Sequence, residues 1–129
     1  MNTSSLTKIE AFKLFETGIH STPDWCKNIP RSLVHGRPGP FGKRTRTYPL
    51  DTWIEAEPNT PGFNIFLSED DAVTYLPRFK VRYKRLKLCK ISVYEEQLIY
   101  KPNSHYYLVP SIFISSIDWV NASYGSVLV

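Results

Sequence analysis

Along residues 5–17 apolar side chains recur at three-residue steps (Leu6, Ile9, Phe12, Phe15), with Lys8, Glu10, Lys13 and Glu16 between them. That spacing predicts an amphipathic N-terminal helix. Thr7 and Glu10 have capping-box spacing, Ser4 or Ser5 offers an earlier start, and Gly18 stands where a left-handed C-cap belongs. Between His20 and Pro61 lie seven of the ten prolines, so this stretch is expected to be a loop-dominated arm, with at most a short strand at Thr52–Ala56. Phe63, Ile65 and Leu67 then alternate as in a strand packed on one side. Ser68 as N-cap, acids at 69, 70 and 71, and Pro77 as a stop predict a helix of about two turns.

From Phe79 onward the parity of apolar positions changes twice. Phe79, Val81 and Tyr83 share one parity, Leu86 and Leu88 the other, and Ile91 and Val93 return to the first. A flat strand with one buried face does not do this, so a kinked or strongly coiled strand, a switch of face, or two strands joined near Lys84 and Arg85 is expected. Residues 97–101 and 106–109 read as strands around a hairpin loop at 102–105, and 112–120 as a final apolar strand. The fold class expected is therefore α+β. It has an N-terminal helix, a Pro/Gly-rich basic arm, a short second helix and a twisted, mostly antiparallel sheet of four to five strands. At 129 residues the chain is read as one domain, with 20–61 as the loop-rich basic arm.

Charge changes the picture more than composition does. The net charge is +4, but it is segregated: between Trp25 and Leu50 stand Lys27, Arg31, Arg37, Lys43, Arg44 and Arg46 with no acid. Between Arg78 and Lys90 there are seven further bases, again with no acid. Arg37, Lys43, Arg44 and Arg46 on the arm and Lys80, Arg82, Lys84 and Arg85 on the strand are the candidate binding residues. Basic side chains at this density neutralise phosphates or meet a carboxylate-rich protein surface. The competing reading is a solvated basic face. On parity, Phe79 and Tyr83 point away from Lys80, Arg82 and Lys84, which makes them core rather than a platform for bases. The glycines at 36, 39 and 42 could cradle an anion, but GxxxxGK(S/T) spacing is missing and no strand clearly precedes them.

Catalytic chemistry has little to stand on. His20, His35 and His105 form no HxxxH or HExxH motif, so neither a metal nor another cofactor is expected. Cys26 and Cys89 have no CxxC partner and are read as two reduced thiols of a cytoplasmic protein. A Cys26/His35 dyad would need tertiary proximity, and the pairs Glu55/Glu57 and Glu95/Glu96 are better read as solvated charge. The N-terminus lacks the apolar core of a signal peptide, and no apolar run approaches a membrane span of about 20 residues.

PGFNIFLSEDDAVTYL at 61–76, with the basic stretch after it, resembles a pattern of small phage and prophage-encoded proteins. That pattern runs Gly-Phe-His-x-Phe, a Ser/Thr cap, an acidic pair, Ala and an aromatic, and its layout is distantly similar to ADP-ribosyltransferase-like folds. Here Asn64 stands in the His position, and no Arg/Ser/Glu transferase set can be matched. The resemblance implies a small protein of phage or mobile-element origin; if the His carries ligand or catalytic contacts in such relatives, its replacement by Asn64 argues against retained enzymatic activity. The leading expectation is a non-enzymatic inhibitor that docks its basic surface on an acidic host protein or nucleoprotein, such as a defence nuclease. A direct nucleic-acid-binding module is the first alternative. A nucleotide-binding or ADP-ribosyltransferase-like protein, with Glu55, Glu57 or Glu95 as its acid, is the second.

Overall fold

The computed structural model describes residues 5–16, 48–56, 62–75, 86–102 and 105–124. The longest elements are two strands, β1 (Lys8–Glu16) and β4 (Leu86–Tyr94). They pair antiparallel over their whole length, from Lys8 opposite Tyr94 to Glu16 opposite Leu86. The helix expected over 5–17 is thus a strand. Residues opposite one another in an antiparallel pair share a face. Ala11 and Phe15 therefore lie with Cys89, Ile91 and Val93 over one core, and Leu14 lies with Leu86 and Leu88 over a second. Both faces of the ribbon are buried over much of its length, so its apolar positions lose the two-residue alternation and imitate a helical step. Nine paired residues with two buried faces outweigh the weak local preference for helix.

The parity change in the second half of the basic stretch has the same origin. Within Leu86–Tyr94 the register with β1 is continuous, and no bulge interrupts it. Leu86 and Leu88 belong to the second core, while Cys89, Ile91 and Val93 belong to the first. The strand keeps its course and changes which face is apolar. The expected junction near Lys84 and Arg85 lies outside the described residues.

Among the described residues two sheets form, and every strand pairing is antiparallel. The larger joins β1 and β4 to β7 (Ser111–Phe113) and β2 (Trp53–Glu55), with β8 (Ser123–Tyr124) also on β4. The smaller runs β3 (Phe63–Ile65), β6 (Tyr107–Val109), β5 (Ile99–Tyr100). With helices α1 (Glu69–Tyr75) and α2 (Ser116–Val120) this is an α+β arrangement of two mostly short-stranded sheets, rather than one sheet of four to five strands. The expected short strand at 52–56, the strand after Gly62, the helix after Ser68 and the hairpin around 102–105 are all present. Ser68 Oγ accepts the Asp71 amide at 3.1 Å, as an N-cap should.

The expected strand over 112–120 is corrected. It stops at Phe113, and Ser115 opens α2 by accepting the Asp118 amide at 3.1 Å. Asp51 holds this helix start with its carboxylate, which accepts the Ser116 amide at 2.9 Å and the Ser116 hydroxyl. Ile117 and Val120, the apolar residues that made the stretch look like a strand, are about three-quarters exposed.

At the outer edge of β1, Phe12 and Phe66 exchange two backbone bonds of 2.7 and 2.8 Å. There the chain passes from one face of the larger sheet to the other. Phe63 and Ile65 of β3 pack into the first core, whereas Phe66 and Ala72 of α1 pack into the second. Gly62 makes the entry to β3 possible: its φ is +113°, and an added Cβ would stand 2.8 Å from the Val109 carbonyl oxygen. Gly62→Ala combines a disfavoured backbone with a clash against the partner strand. It is expected to cost about 1–3 kcal/mol, read as a lower urea midpoint with faster amide exchange in β3.

Candidate functional site

All eight sequence-predicted binding residues, Arg37, Lys43, Arg44, Arg46, Lys80, Arg82, Lys84 and Arg85, lie outside the described residues, as do Cys26, His35 and Glu57. What the fold determines is where their segments join it. The segment 17–47 leaves β1 after Glu16, and the segment 76–85 enters β4 at Leu86, and Glu16 and Leu86 are register partners. The same arm rejoins the described chain at Tyr48, whose ring meets Phe15 edge-on at 5.8 Å. Phe15 is the register partner of Lys87. Two base runs separated by more than thirty positions in sequence are therefore tethered to one end of one β ribbon.

The described framework itself is acidic, with ten acids against five lysines. Two bases counted in the second run are placed, and neither is a free cation on an open face. Lys87 is buried, its amine 4.7 Å above the Trp119 ring and 3.4 Å from the Trp119 carbonyl. Lys90 is exposed between two carboxylates, Glu10 at 3.4 Å and Asp118 at 3.9 Å.

The acids considered for catalysis are scattered. Glu55 is exposed on β2 and Glu95 on the turn after β4. Glu96 accepts the Thr7 amide at 2.7 Å, which holds its carboxyl below the usual range and gives it a structural task. Among the described residues no group of three His, Cys, Asp or Glu is placed to hold a metal, and no helix is long and apolar enough to cross a membrane. Cys89 is buried, and burial pushes its thiol up to about 12, so it is not a nucleophile.

The chemically unusual residue is one that the pattern hid. Lys13 is 3% exposed on the face of β1 that covers the first core, directly opposite Cys89. Its amine donates to the Asn64 carbonyl of β3 at 2.9 Å and lies 5.6 and 5.7 Å from the Phe15 and Phe63 ring centroids. No carboxylate among the described residues reaches it. A carbonyl and two ring faces return about 1–4 kcal/mol to an ammonium, less than the several kcal/mol of lost hydration. Burial accordingly brings its pKa down to about 7. In a helical reading Lys13 falls on the polar side. Read at strand parity it continues the inward series Ile9, Ala11, Phe15, and that is the signal that would have found it.

Asn64, where the resemblance has His, offers this amine its backbone oxygen. Comparison with family models, curated proteins and solved structures finds no match to this chain.

Proposed function

We propose that the chain is a small, non-enzymatic binding protein that docks its base-rich segments on an acidic macromolecular partner, a protein or nucleoprotein. The observation that carries the reading is the shared tether: both base runs join the framework at the Glu16/Leu86 end of the β1–β4 ribbon. Eleven of the sixteen bases, against two of the twelve acids, belong to segments outside the described framework, which itself bears a net −5. Charge segregated in this way steers an acidic partner toward one end and turns it away from the rest. An inhibitor encoded by a phage or mobile element, acting by occlusion, fits the same arrangement.

The test is a pull-down from lysate at two salt concentrations, with and without nuclease, comparing wild type with an Arg37/Lys43/Arg44/Arg46-to-Ala variant. A discrete acidic protein retained after nuclease and lost in the variant is the expected result. Recovery of nuclease-sensitive material alone, with affinity falling steeply with salt, would replace it with direct nucleic-acid binding. Recovery of nothing, with a nucleotide raising Tm, would favour a nucleotide ligand instead.

A further inference from the structure

We propose that Lys13 is a proton-operated latch on the seam between the two sheets. With a neutral amine the smaller sheet and Tyr48 stay docked on β1, and proton uptake opens that seam. Among the described residues the hydrogen bonds that cross the seam from β1 are the Phe12–Phe66 backbone pair and the one from the Lys13 amine to the Asn64 carbonyl, beside the apolar contacts of Phe63 and Ile65 with the first core. The rings that flank the amine are also those that hold the arm. Tyr48, the first described residue after segment 17–47, meets Phe15 and Phe63 edge-on, each at 5.8 Å. Moving β3 off β1 therefore draws Phe63 away from Tyr48 and loosens the anchor of the base-rich arm.

Among the described residues nothing negative faces the amine from any element packed on it. On β1 its same-face neighbours are Ala11 and Phe15, and β3 brings Asn64 and Phe63. From β4 come Cys89 directly opposite and Lys87 diagonal to it. The Cys89 thiol keeps its proton, and the Lys87 cation is turned onto the Trp119 carbonyl and ring. Tyr48 packs edge-on against both flanking rings. An ammonium here is held by one carbonyl and two ring faces, whereas in the open seam it regains water.

Opening and proton uptake are consequently linked. The amine takes its proton near pH 7 when the seam is closed and near its ordinary 10.5 when it is open. Opening thus becomes up to tenfold more frequent for each unit of pH fall between those values and levels off below about 7. The latch depends on β1, β3 and Tyr48 alone and does not rest on the identity of the partner.

Two measurements on the full chain test it. In wild type, the Lys13 Cε resonance is followed from pH 5 to 11, and a midpoint near 7 is expected. A midpoint near the ordinary lysine value would overturn the proposal. Amide protection factors, corrected for intrinsic exchange, are then compared at pH 6.5 and 9. Protection at Phe12 and Phe66 is expected to be at least tenfold lower at pH 6.5, and at both pH values to lie well below that of the β1–β4 ladder, which is released only by global unfolding. In Lys13→Met, or Lys13→Leu should that fold better, the difference is expected to vanish. Protection at Phe12 and Phe66 equal to that of the ladder would assign Lys13 to global stability alone and sink the latch, as would a pH-dependent fall that persists without the lysine.

Discussion

Lys13→Met is expected to stabilise the protein at pH 7 and to destabilise it near pH 10, with the two stability curves crossing between. The buried amine has its pKa lowered from 10.5 to about 7. Between those values the unfolded chain holds a proton that the folded chain lacks, so raising the pH favours the fold. Below about 7 both states are protonated and the full cost of burying the charge remains, of the order of 5 kcal/mol as a ceiling, since each pKa unit is worth about 1.4 kcal/mol. Met removes that cost and packs against the same two rings. It also removes the donor to the Asn64 carbonyl, a loss of about 1–3 kcal/mol that persists at every pH. The first effect exceeds the second at pH 7 and is absent near pH 10.

Urea unfolding at half-unit intervals from pH 6 to 10 checks the crossing. A variant curve parallel to wild type would show that the amine is not buried as a neutral base. Cys89 acts in the opposite sense. Its thiol is pushed from 9.0 up to about 12, so between those values the unfolded chain loses a proton that the folded chain keeps, and stability falls as pH rises. The two groups together put the wild-type optimum near pH 9 to 10, and Cys89→Ala is expected to lift the alkaline side.

Phe15→Ala is expected to be the most damaging single truncation in the first core, at about 3–5 kcal/mol. Against a typical total of about 5–15 kcal/mol that is enough to unfold a large fraction of the molecules. The ring is fully buried and holds three neighbours at once: Tyr48 edge-on at 5.8 Å, Trp119 edge-on at 5.7 Å, and the Lys13 amine at 5.6 Å. Removing it frees the arm's anchor, the C-terminal helix and the latch together. Phe15→Leu keeps most of the volume and is expected to recover about half of the loss. A cycle with Trp119→Leu isolates the ring pair, for which a coupling of about 0.5–1.5 kcal/mol is expected. Near-zero coupling would mean that the Phe15–Trp119 contact follows from packing and does not contribute to it.

The elements that the sequence foretold are those whose signals are local. Ser68, three successive acids and Pro77 specify α1 through a cap, a dipole and a missing amide, with no help from distant residues. Gly62 and the alternation after it specify β3, and the residues around Pro102 specify the β5–β6 hairpin. Charge segregation is likewise a property of the chain and survives whatever the fold does with it. The Ser115–Asp118 cap of α2 was also local but was masked by the apolar residues Ile117 and Val120, which the fold leaves exposed.

Tertiary structure alone decided the rest, because burial on two faces erases the period from which a strand is recognised. Residues 8–16 become a strand through nine partners that lie seventy or more positions away, and no window of local sequence contains them. The same pairing carries Lys13 into the core, brings the Asn64 carbonyl and two rings around it, and joins two remote base runs at one end of a ribbon. The sequence by itself determined that this protein carries concentrated positive charge and few groups fit for catalysis. The pairing of β1 with β4 determined where that charge is tethered and which lysine lost its water.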